Sequence, residues 1–212
     1  YRTDDESHNT DGCHLPTPVM RDCDPRLYDA FDQLAQPSVA ALQRLPIWPR
    51  AQFYHKPLSF RGIHPSRRAD VRRRWLDDAL HTVRGCDLVC LDPDNGLQTP
   101  SSRPLAKRGP KHATLDELAA FWQTGASLVI YQHATRRGTV TEQARRRADE
   151  LLQRLPTLRH LATLRFRRGT TRLYFIAAQP RHRARLDNRV RAMLHGPWAD
   201  HFELLRGLAG GP

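Results

Sequence analysis

Residues 86–97 of the chain read CDLVCLDPDNGL, a short apolar run followed directly by acidic and amide side chains. Such a run, bounded by turn formers, predicts a strand that is buried on both faces of a parallel sheet. A proline and a glycine predict a turn immediately after it. Because ligands bind beyond the carboxyl ends of strands in open α/β sheets, we predict that Asp92, Asp94 and Asn95 line a site. The same residues are also typical of an ordinary strand that ends in an Asx-type turn.

A second apolar run, SLVIYQH at residues 127–133, also ends in polar side chains. It predicts another buried strand, and Gln132 and His133 follow at its carboxyl end. If the two strands are parallel neighbours, their polar ends meet at one edge of the sheet. This coincidence strengthens the prediction of a site there.

In much of the remaining chain, apolar residues recur at the spacings of helices and strands. The length of 212 residues suits one domain. We predict a single three-layer α/β domain over residues 1–212, with a mostly parallel sheet, helices on both faces and a C-terminal antiparallel hairpin at one edge. The hairpin strands are expected at residues 161–166 and 171–178. The chain begins at Tyr1 without an initiator Met, so we expect a segment to be missing before it.

The charge balance predicts a polyanionic partner. The chain has 34 Lys and Arg against 22 Asp and Glu, a formal net charge of +12. Arginine grips phosphate with two hydrogen bonds, so double-stranded DNA is the expected partner, although an arginine-rich genome would give the same composition. The candidate DNA contacts are Arg67, Arg68, Arg72, Arg103, Lys107, Arg108, Lys111, Arg136, Arg137, Arg165, Arg167 and Arg168.

Two polar segments extend the predicted site. Residues 98–112 are rich in Pro, Ser, Lys and Arg and predict a mobile loop that acts as a lid or contacts nucleic acid. The N-terminal stretch concentrates acids, a histidine and an amide in a basic protein, so it is either disordered or part of a site. Its candidate substrate-binding residues are His8, Asn9 and Asp11.

The cysteines and the hydropathy pattern predict neither a metal site nor a membrane span. Cys86 and Cys90 would lie about 13 Å apart along a strand, beyond disulfide reach. Cys13 and Cys23 lack the paired spacing of a known zinc site. We therefore expect no cofactor, no membrane contact and a reducing cytoplasmic location.

Four segments carry a resemblance to a known family. LDPDNGL at 91–97, SLVIYQH at 127–133, LRFRRGT at 164–170 and PW with HFEL at 197–204 resemble a family of uncharacterised bacterial α/β proteins. The resemblance covers nearly the whole chain and implies the fold. In that family a further segment containing Gly and Asp precedes the region of Tyr1.

The chain is also similar to bacterial anti-phage DNA glycosylases that remove modified cytosines. That resemblance implies a hydrolase that excises a base, such as glucosylated hydroxymethylcytosine, from phage DNA and leaves an abasic site. His64-Pro65-Ser66 resembles a His-Pro-Ser segment of uracil-glycosylase-like enzymes, so His64 is a further candidate for substrate binding.

The residues themselves are compatible with base excision. A carboxylate at Asp92 or Asp94 would orient water or offset the positive charge that develops on the sugar. Asn95, Gln132 and His133 would contact a base edge or support the departing base. The predicted catalytic residues are Asp92, Asp94, Asn95 and His133.

Three alternatives stay open. Asp92-Pro93-Asp94-Asn95 resembles the Asp/Asn-Pro-Pro-aromatic turn of adenine methyltransferases, but the second proline and the aromatic are absent. A methyltransferase would bind S-adenosylmethionine, and no Gly-rich cofactor turn is visible. A nuclease would hold Mg²⁺ on Asp92 and Asp94. A basic DNA-binding module explains the arginines but not the polar strand ends.

Overall fold

The computed structural model describes residues 20–34, 41, 43–135, 137–167 and 171–207. Short 3₁₀ turns lie at Pro65–Arg67, Gly109–Lys111, Pro180–His182 and Pro197–Asp200. The elements in chain order are α1 (Pro25–Asp32), α2 (Arg68–Thr82), β1 (Leu88–Leu91), α3 (Leu115–Gln123), β2 (Ser127–His133), α4 (Val140–Arg154), β3 (Leu161–Phe166), β4 (Arg172–Ala177), α5 (Arg183–His195) and β5 (Phe202–Leu204).

The α/β class is confirmed, but the prediction of a mostly parallel sheet is wrong. The strand order is β1-β2-β4-β3-β5, and only β1 and β2 pair in parallel. The crossover through α4 leads to β3, which runs in the direction of β2 but does not pair with it. β4 folds back between them and is antiparallel to both. Hydrophobic periodicity identifies the strands in the sequence, but it does not show that β4 will insert between β2 and β3.

The C-terminal hairpin is confirmed. β3 and β4 pair antiparallel with Leu161 opposite Ala177 and Phe166 opposite Arg172. A short strand that the periodicity did not predict, β5, then pairs with β3 and places Phe202 opposite Phe166. The hairpin therefore lies within the sheet rather than at its edge.

Capping boxes begin two of the helices that cover the sheet. Thr114 accepts from the Glu117 backbone N–H while the Glu117 carboxylate accepts from the Thr114 backbone, and Thr139 and Glu142 repeat this arrangement. Each box satisfies backbone donors that the first helical turn leaves unpaired. The Thr-x-x-Glu spacing at both positions predicts such a box from the sequence, and the structure confirms both. No described helix combines the length and apolar character needed to cross a membrane.

The two faces of the sheet are covered unequally. Helices α2, α3 and α4 contribute to the main core, which includes Val89, Ile130 and Phe175. On the other face the apolar side of α5 packs against residues of β3 and β4, such as Leu164 and Ile176. The predicted full three-layer arrangement is therefore not borne out by the described residues.

Strand β1 is not buried on both faces as predicted. It lies at the edge of the sheet, and its side chains alternate between exposed and buried. Leu88 is 41% exposed, whereas Val89 is buried. Among the described residues, no helix covers the half of the second face that β1 and the adjoining part of β2 form, and we refer to it as the open half.

Candidate active site

The polar ends of β1 and β2 meet, as predicted. β1 and β2 are parallel neighbours, with Leu91 opposite Ile130. The His133 imidazole Nε2 lies 3.1 Å from the backbone carbonyl oxygen of Asp94. A carbonyl only accepts, so Nε2 carries the proton in this contact. The turn after β1 therefore fixes the orientation of the histidine that ends β2.

The next strand adds residues to this edge. β4 places Arg172 opposite His133 and Tyr174 opposite Tyr131. The Arg172 Nε donates to the Tyr131 hydroxyl at 3.1 Å, and that hydroxyl lies 3.1 Å from Nε2 of His133. We refer to Asp92, Tyr131, His133, Arg172 and Tyr174 as the strand-end cluster.

The pKa of Asp92 is raised, chiefly because burial disfavours its charged form. Nearby His133 and Arg172 lower this pKa, while Asp94 raises it. The side chain nevertheless remains exposed to solvent. The carboxyl group is therefore close enough to other protein atoms for its pKa to rise, and it is also accessible to water. A carboxyl group with a raised pKa in such a place is a candidate general base.

The two tyrosines of the cluster are held neutral. Burial, followed by Tyr131 and Asp92, raises the pKa of Tyr174 to about 12. Burial also raises the pKa of Tyr131, although the hydrogen bond from Arg172 opposes this shift. Both phenols thus present hydroxyl groups, not phenolates, at neutral pH.

Asp92 and Asp94 occupy different environments. The Asp94 carboxylate forms an ion pair with Lys111, with Oδ2 and Nζ 3.1 Å apart. The Asn95 backbone N–H donates to the Lys111 carbonyl at 2.8 Å. Asp94 and Asn95 therefore attach the turn to the loop that follows, whereas Asp92 belongs to the cluster. This difference identifies Asp92 as the stronger candidate for catalysis.

Gln132 lies on the opposite face from the cluster and is buried. Its Oε1 accepts from the Leu97 backbone N–H at 2.7 Å, and its Nε2 donates to the His133 carbonyl at 2.8 Å. The amide therefore clamps the turn after β1 to the end of β2. The structure gives Gln132 a positioning role and does not bring its amide to the cluster.

Gly96 is required beside this clamp. Its φ is +75°, and a Cβ at this position would lie 2.7 Å from Gln132 Oε1. We expect Gly96→Ala to lower the free energy of unfolding by about 1 to 3 kcal/mol more than Gly62→Ala does. Gly62 is the matched control because its φ is +68° with no atom within 4 Å of the added Cβ. Chemical denaturation measures both, and equal losses would show that the clamp tolerates a methyl group.

Arg72 was predicted to contact DNA, and its position corrects that prediction. The side chain is buried and pairs with Glu117, with Nε–Oε1 and Nη2–Oε2 distances of 2.6 and 2.8 Å. It also donates to the carbonyls of Pro104, Gly109 and His112. The guanidinium is therefore not accessible to a phosphate. The spacing to Trp75 and Ala79, which are buried on the same side of α2, was the sequence signal for this.

The same contacts correct the prediction of a mobile loop at residues 98–112. Three of its carbonyls accept from Arg72, and the Gln98 carbonyl accepts from Arg147 at 2.8 Å. Leu97 also forms an isolated parallel bridge with Ala113. These hydrogen bonds fix the backbone of the loop at both ends. The charged side chains of the loop therefore project from a backbone that the rest of the fold positions.

The other predicted DNA contacts fall into three groups. Arg68 is half-buried and donates to the carbonyls of Ile63 and Leu105. Arg165 and Arg167 both pair with Glu203. The third group is exposed to solvent and consists of Arg67, Arg103, Lys107, Arg108 and Arg137.

His64 has a local role in the structure. Its Nδ1 lies 2.8 Å from the Ser66 hydroxyl and caps the 3₁₀ turn Pro65–Arg67. The structure does not place this contact at the strand-end cluster. The predicted residues His8, Asn9, Asp11, Arg136 and Arg168 lie outside the described residues.

Sequence reasoning missed Tyr131, Arg172 and Tyr174. Alternation along β2 puts Tyr131 on the same face as His133, and this was available from the sequence. The pairing of β4 with β2 could not be predicted from the sequence, because we expected the hairpin of β3 and β4 to lie at an edge of the sheet.

Two surface depressions lie away from the cluster. One, of about 350 Å³, is lined by α4 residues including Arg145 and Arg146. The other, of about 490 Å³, lies between α3 and α4. Within the described part of the chain, no three His, Cys, Asp or Glu side chains are grouped so that they would hold a metal ion.

Comparison of the chain with protein-family models, with curated proteins and with solved structures found no match in any of the three.

Proposed function

We propose that the strand-end cluster is the active site of a DNA glycosylase that excises a modified cytosine base. The observation that carries the proposal is Asp92, a solvent-accessible carboxyl with a raised pKa. It lies with His133 and Arg172 where two parallel strands end. Ligands bind at such strand ends, and perturbed carboxyl groups are typical of acid–base catalysis.

In the proposed reaction, the ionised Asp92 takes a proton from water as the water oxygen forms a bond to C1′ of the sugar. The C1′–N bond breaks, and its electron pair leaves with the base. Positive charge develops on the sugar, and the Asp92 carboxylate offsets it. Arg172, which lies close to Asp92, would offset the negative charge of the departing base. His133 lies beside it and is oriented through Nε2 by the Asp94 carbonyl. The Tyr131 hydroxyl contacts both Arg172 and His133 and holds them in position.

Double-stranded DNA is the proposed substrate. The net charge of +12 favours a polyanion. Arg103, Lys107 and Arg108 extend this charge along the loop that packs against the turn after β1. The modified cytosine, the phage origin of the DNA and a cytoplasmic site of action are proposed from the resemblance and the composition.

A methyltransferase that uses S-adenosylmethionine is the second candidate, and the strand order favours it. In that class of sheet the strand ending in the Asp-Pro turn lies beside the next parallel strand. The chain then forms an antiparallel hairpin. The second strand of the hairpin inserts between the second of those parallel strands and the first strand of the hairpin. β1, β2, β4 and β3 have this arrangement. The similarity is one of topology alone, and topology does not fix chemistry.

Small-molecule products separate these functions. The full-length protein is incubated with DNA containing glucosylated hydroxymethylcytosine, alone, with S-adenosylmethionine, or with Mg²⁺ with and without EDTA. The proposal expects a freed modified base and alkali-labile sites in all of these conditions. A methylated base that appears only with S-adenosylmethionine supports the second candidate, and EDTA-sensitive nucleotide fragments indicate a nuclease. Intact DNA that is nevertheless bound contradicts all three and leaves a DNA-binding module.

A further inference from the structure

The open half of the second sheet face has an apolar surface. Leu88 and Cys90 of β1 are exposed there. Beside them, Val129 and Tyr131 of β2 are half-buried. This strip leads along β1 directly to Asp92, at the strand-end cluster.

Helix α5 borders this strip, and its contacts show which of its sides faces β1. His182, just before α5, contacts Asp87 at 3.2 Å and Ser127 at 2.9 Å, at the start of β1 and β2. Asp187 on the other side of the helix contacts His160, just before β3, at 2.6 Å. The side of α5 that continues from His182 therefore faces the open half.

Two arginines lie on that side. Arg185 and Arg189 follow His182 by three and seven residues, the spacing of one helical face. Both are exposed, and neither forms a salt bridge with the described residues. The apolar stripe of α5, which includes Leu186 and Val190, packs against the sheet beside them. The strip is thus bounded by a cationic wall.

A row of half-buried aromatic rings continues past the cluster, and two of them, Tyr174 and Phe202, also pack against the core under α5. The ring centroids of Tyr131 and Tyr174 are 5.6 Å apart, those of Tyr174 and Phe202 are 5.8 Å apart, and those of Phe202 and Trp198 are 5.8 Å apart. Each contact is tilted or edge-on, so ring faces and edges alternate along the row. Such surfaces stack nucleic-acid bases without sequence preference.

We propose that this open groove, formed by Leu88, Cys90, Val129, Arg185 and Arg189, binds one strand of DNA and leads its target nucleotide to the strand-end cluster. The apolar floor and aromatic row suit bases, and the arginine wall suits phosphates. The floor is two strands wide, about 10 Å, which accommodates one strand and not a flat duplex. The inference rests on the proposed function only for the chemistry at the end of the groove. The duplex must open locally, as enzymes that act on a base require.

A pair of double variants tests the groove. Binding of a fluorescent single-stranded oligonucleotide is measured by anisotropy over a range of salt concentrations. Arg185→Ala/Arg189→Ala should weaken binding about 25-fold at about 0.1 M salt and reduce the slope of log K against log salt by about 1.4. Arg183→Ala/Arg191→Ala removes the same formal charge from the opposite side of α5 and is the control for net charge. These two arginines contact Asp187 and Asn188, so the melting temperature of each double variant is measured alongside binding. Equal losses in both variants, or no loss in either, would overturn the proposal.

Cys90 reports occupancy of the groove directly. Surrounding protein, and then Asp92, raise the pKa of the Cys90 thiol, so the alkylation is carried out at alkaline pH and followed over time. Peptide mapping should then show Cys90 modified in the free protein and protected by the oligonucleotide. Protection without any nucleic acid would show that another segment of the chain or a second copy fills the groove, and no protection at saturation would show that the strand binds elsewhere. Base release is scored separately in the same samples. If the base is released but Cys90 is not protected, only the proposed DNA-binding groove is contradicted. If Cys90 is protected but no base is released, only the proposed glycosylase activity is contradicted.

Discussion

Replacing Arg72 by alanine is expected to lower the free energy of unfolding by about 3 to 5 kcal/mol. The substitution leaves the buried Glu117 carboxylate without its ion-pair partner. It also removes the donor to the carbonyls of Pro104, Gly109 and His112. A buried charge that loses its partner costs far more than the pair contributes, because water cannot replace the partner. Urea denaturation measures the loss.

Arg73 provides the control for this prediction. It is the next residue on α2, and it pairs with Asp70 on the surface at 3.0 Å. Exposed pairs of this kind contribute about 0 to 1 kcal/mol, so Arg73→Ala should be close to neutral. Similar losses for the two variants would show that burial of Arg72 is not what matters.

A second variant keeps the prediction testable if Arg72→Ala does not fold. Arg72→Met combined with Glu117→Leu removes both charges and restores apolar volume, which buried pairs often tolerate. It should recover much of the stability but not all, because the three loop carbonyls still lack a donor and the Thr114 backbone N–H loses the Glu117 carboxylate of the capping box. Proteolysis within residues 98–112 should then be faster than in the wild type, since the loop has lost its attachment.

Replacing Asp92 by asparagine is expected to reduce base release by about 10² to 10⁴-fold while DNA binding is retained. Asparagine has nearly the same shape but accepts no proton from water, and it carries no charge to offset the developing charge on the sugar. Single-turnover release of the modified base measures the effect. Asp77→Asn, the same change at an exposed position of α2, is the control. Full activity of Asp92→Asn would remove Asp92 from the mechanism.

The raised pKa of Asp92 adds a pH dependence with a definite sign. The reaction needs the ionised carboxylate, so activity should rise with pH through a midpoint above the ordinary pKa of aspartate. Stability should move in the opposite direction. The folded-state pKa lies above the unfolded one, so the unfolded state releases its proton first and ionisation disfavours folding as pH rises between the two values. Asp92→Asn lacks this loss, so its melting temperature should increase relative to wild type from acid to neutral pH.

Much of the fold was predictable because local patterns carry it. The capping boxes before α3 and α4 marked both helix starts. The apolar runs located β1 and β2, and the run at residues 161–166 matched β3. The polar residues that end the β1 and β2 runs marked the edge at which Asp92, Asp94 and His133 lie. These features depend on residues close together in the chain.

The strand order and the roles of individual side chains were decided by contacts between distant residues. The insertion of β4 beside β2 brings Arg172 and Tyr174 to Asp92, and no local pattern specifies which strand lies beside β2. Helical spacing places Arg72 on the buried side of α2, but only the folded chain supplies its partners, Glu117 and the carbonyls of the loop at 104–112.

The amino-acid sequence by itself determined the α/β class, the basic character and the acidic turn after β1, because periodicity, net charge and turn chemistry are local or additive properties. The tertiary structure alone decided that Asp92 faces the cluster while Asp94 pairs with Lys111. It also decided that Gln132 clamps the turn and that one half of a sheet face stays open beside α5. Burial and hydrogen-bond partners belong to side chains far apart in the sequence, so these assignments exist only once the chain has folded.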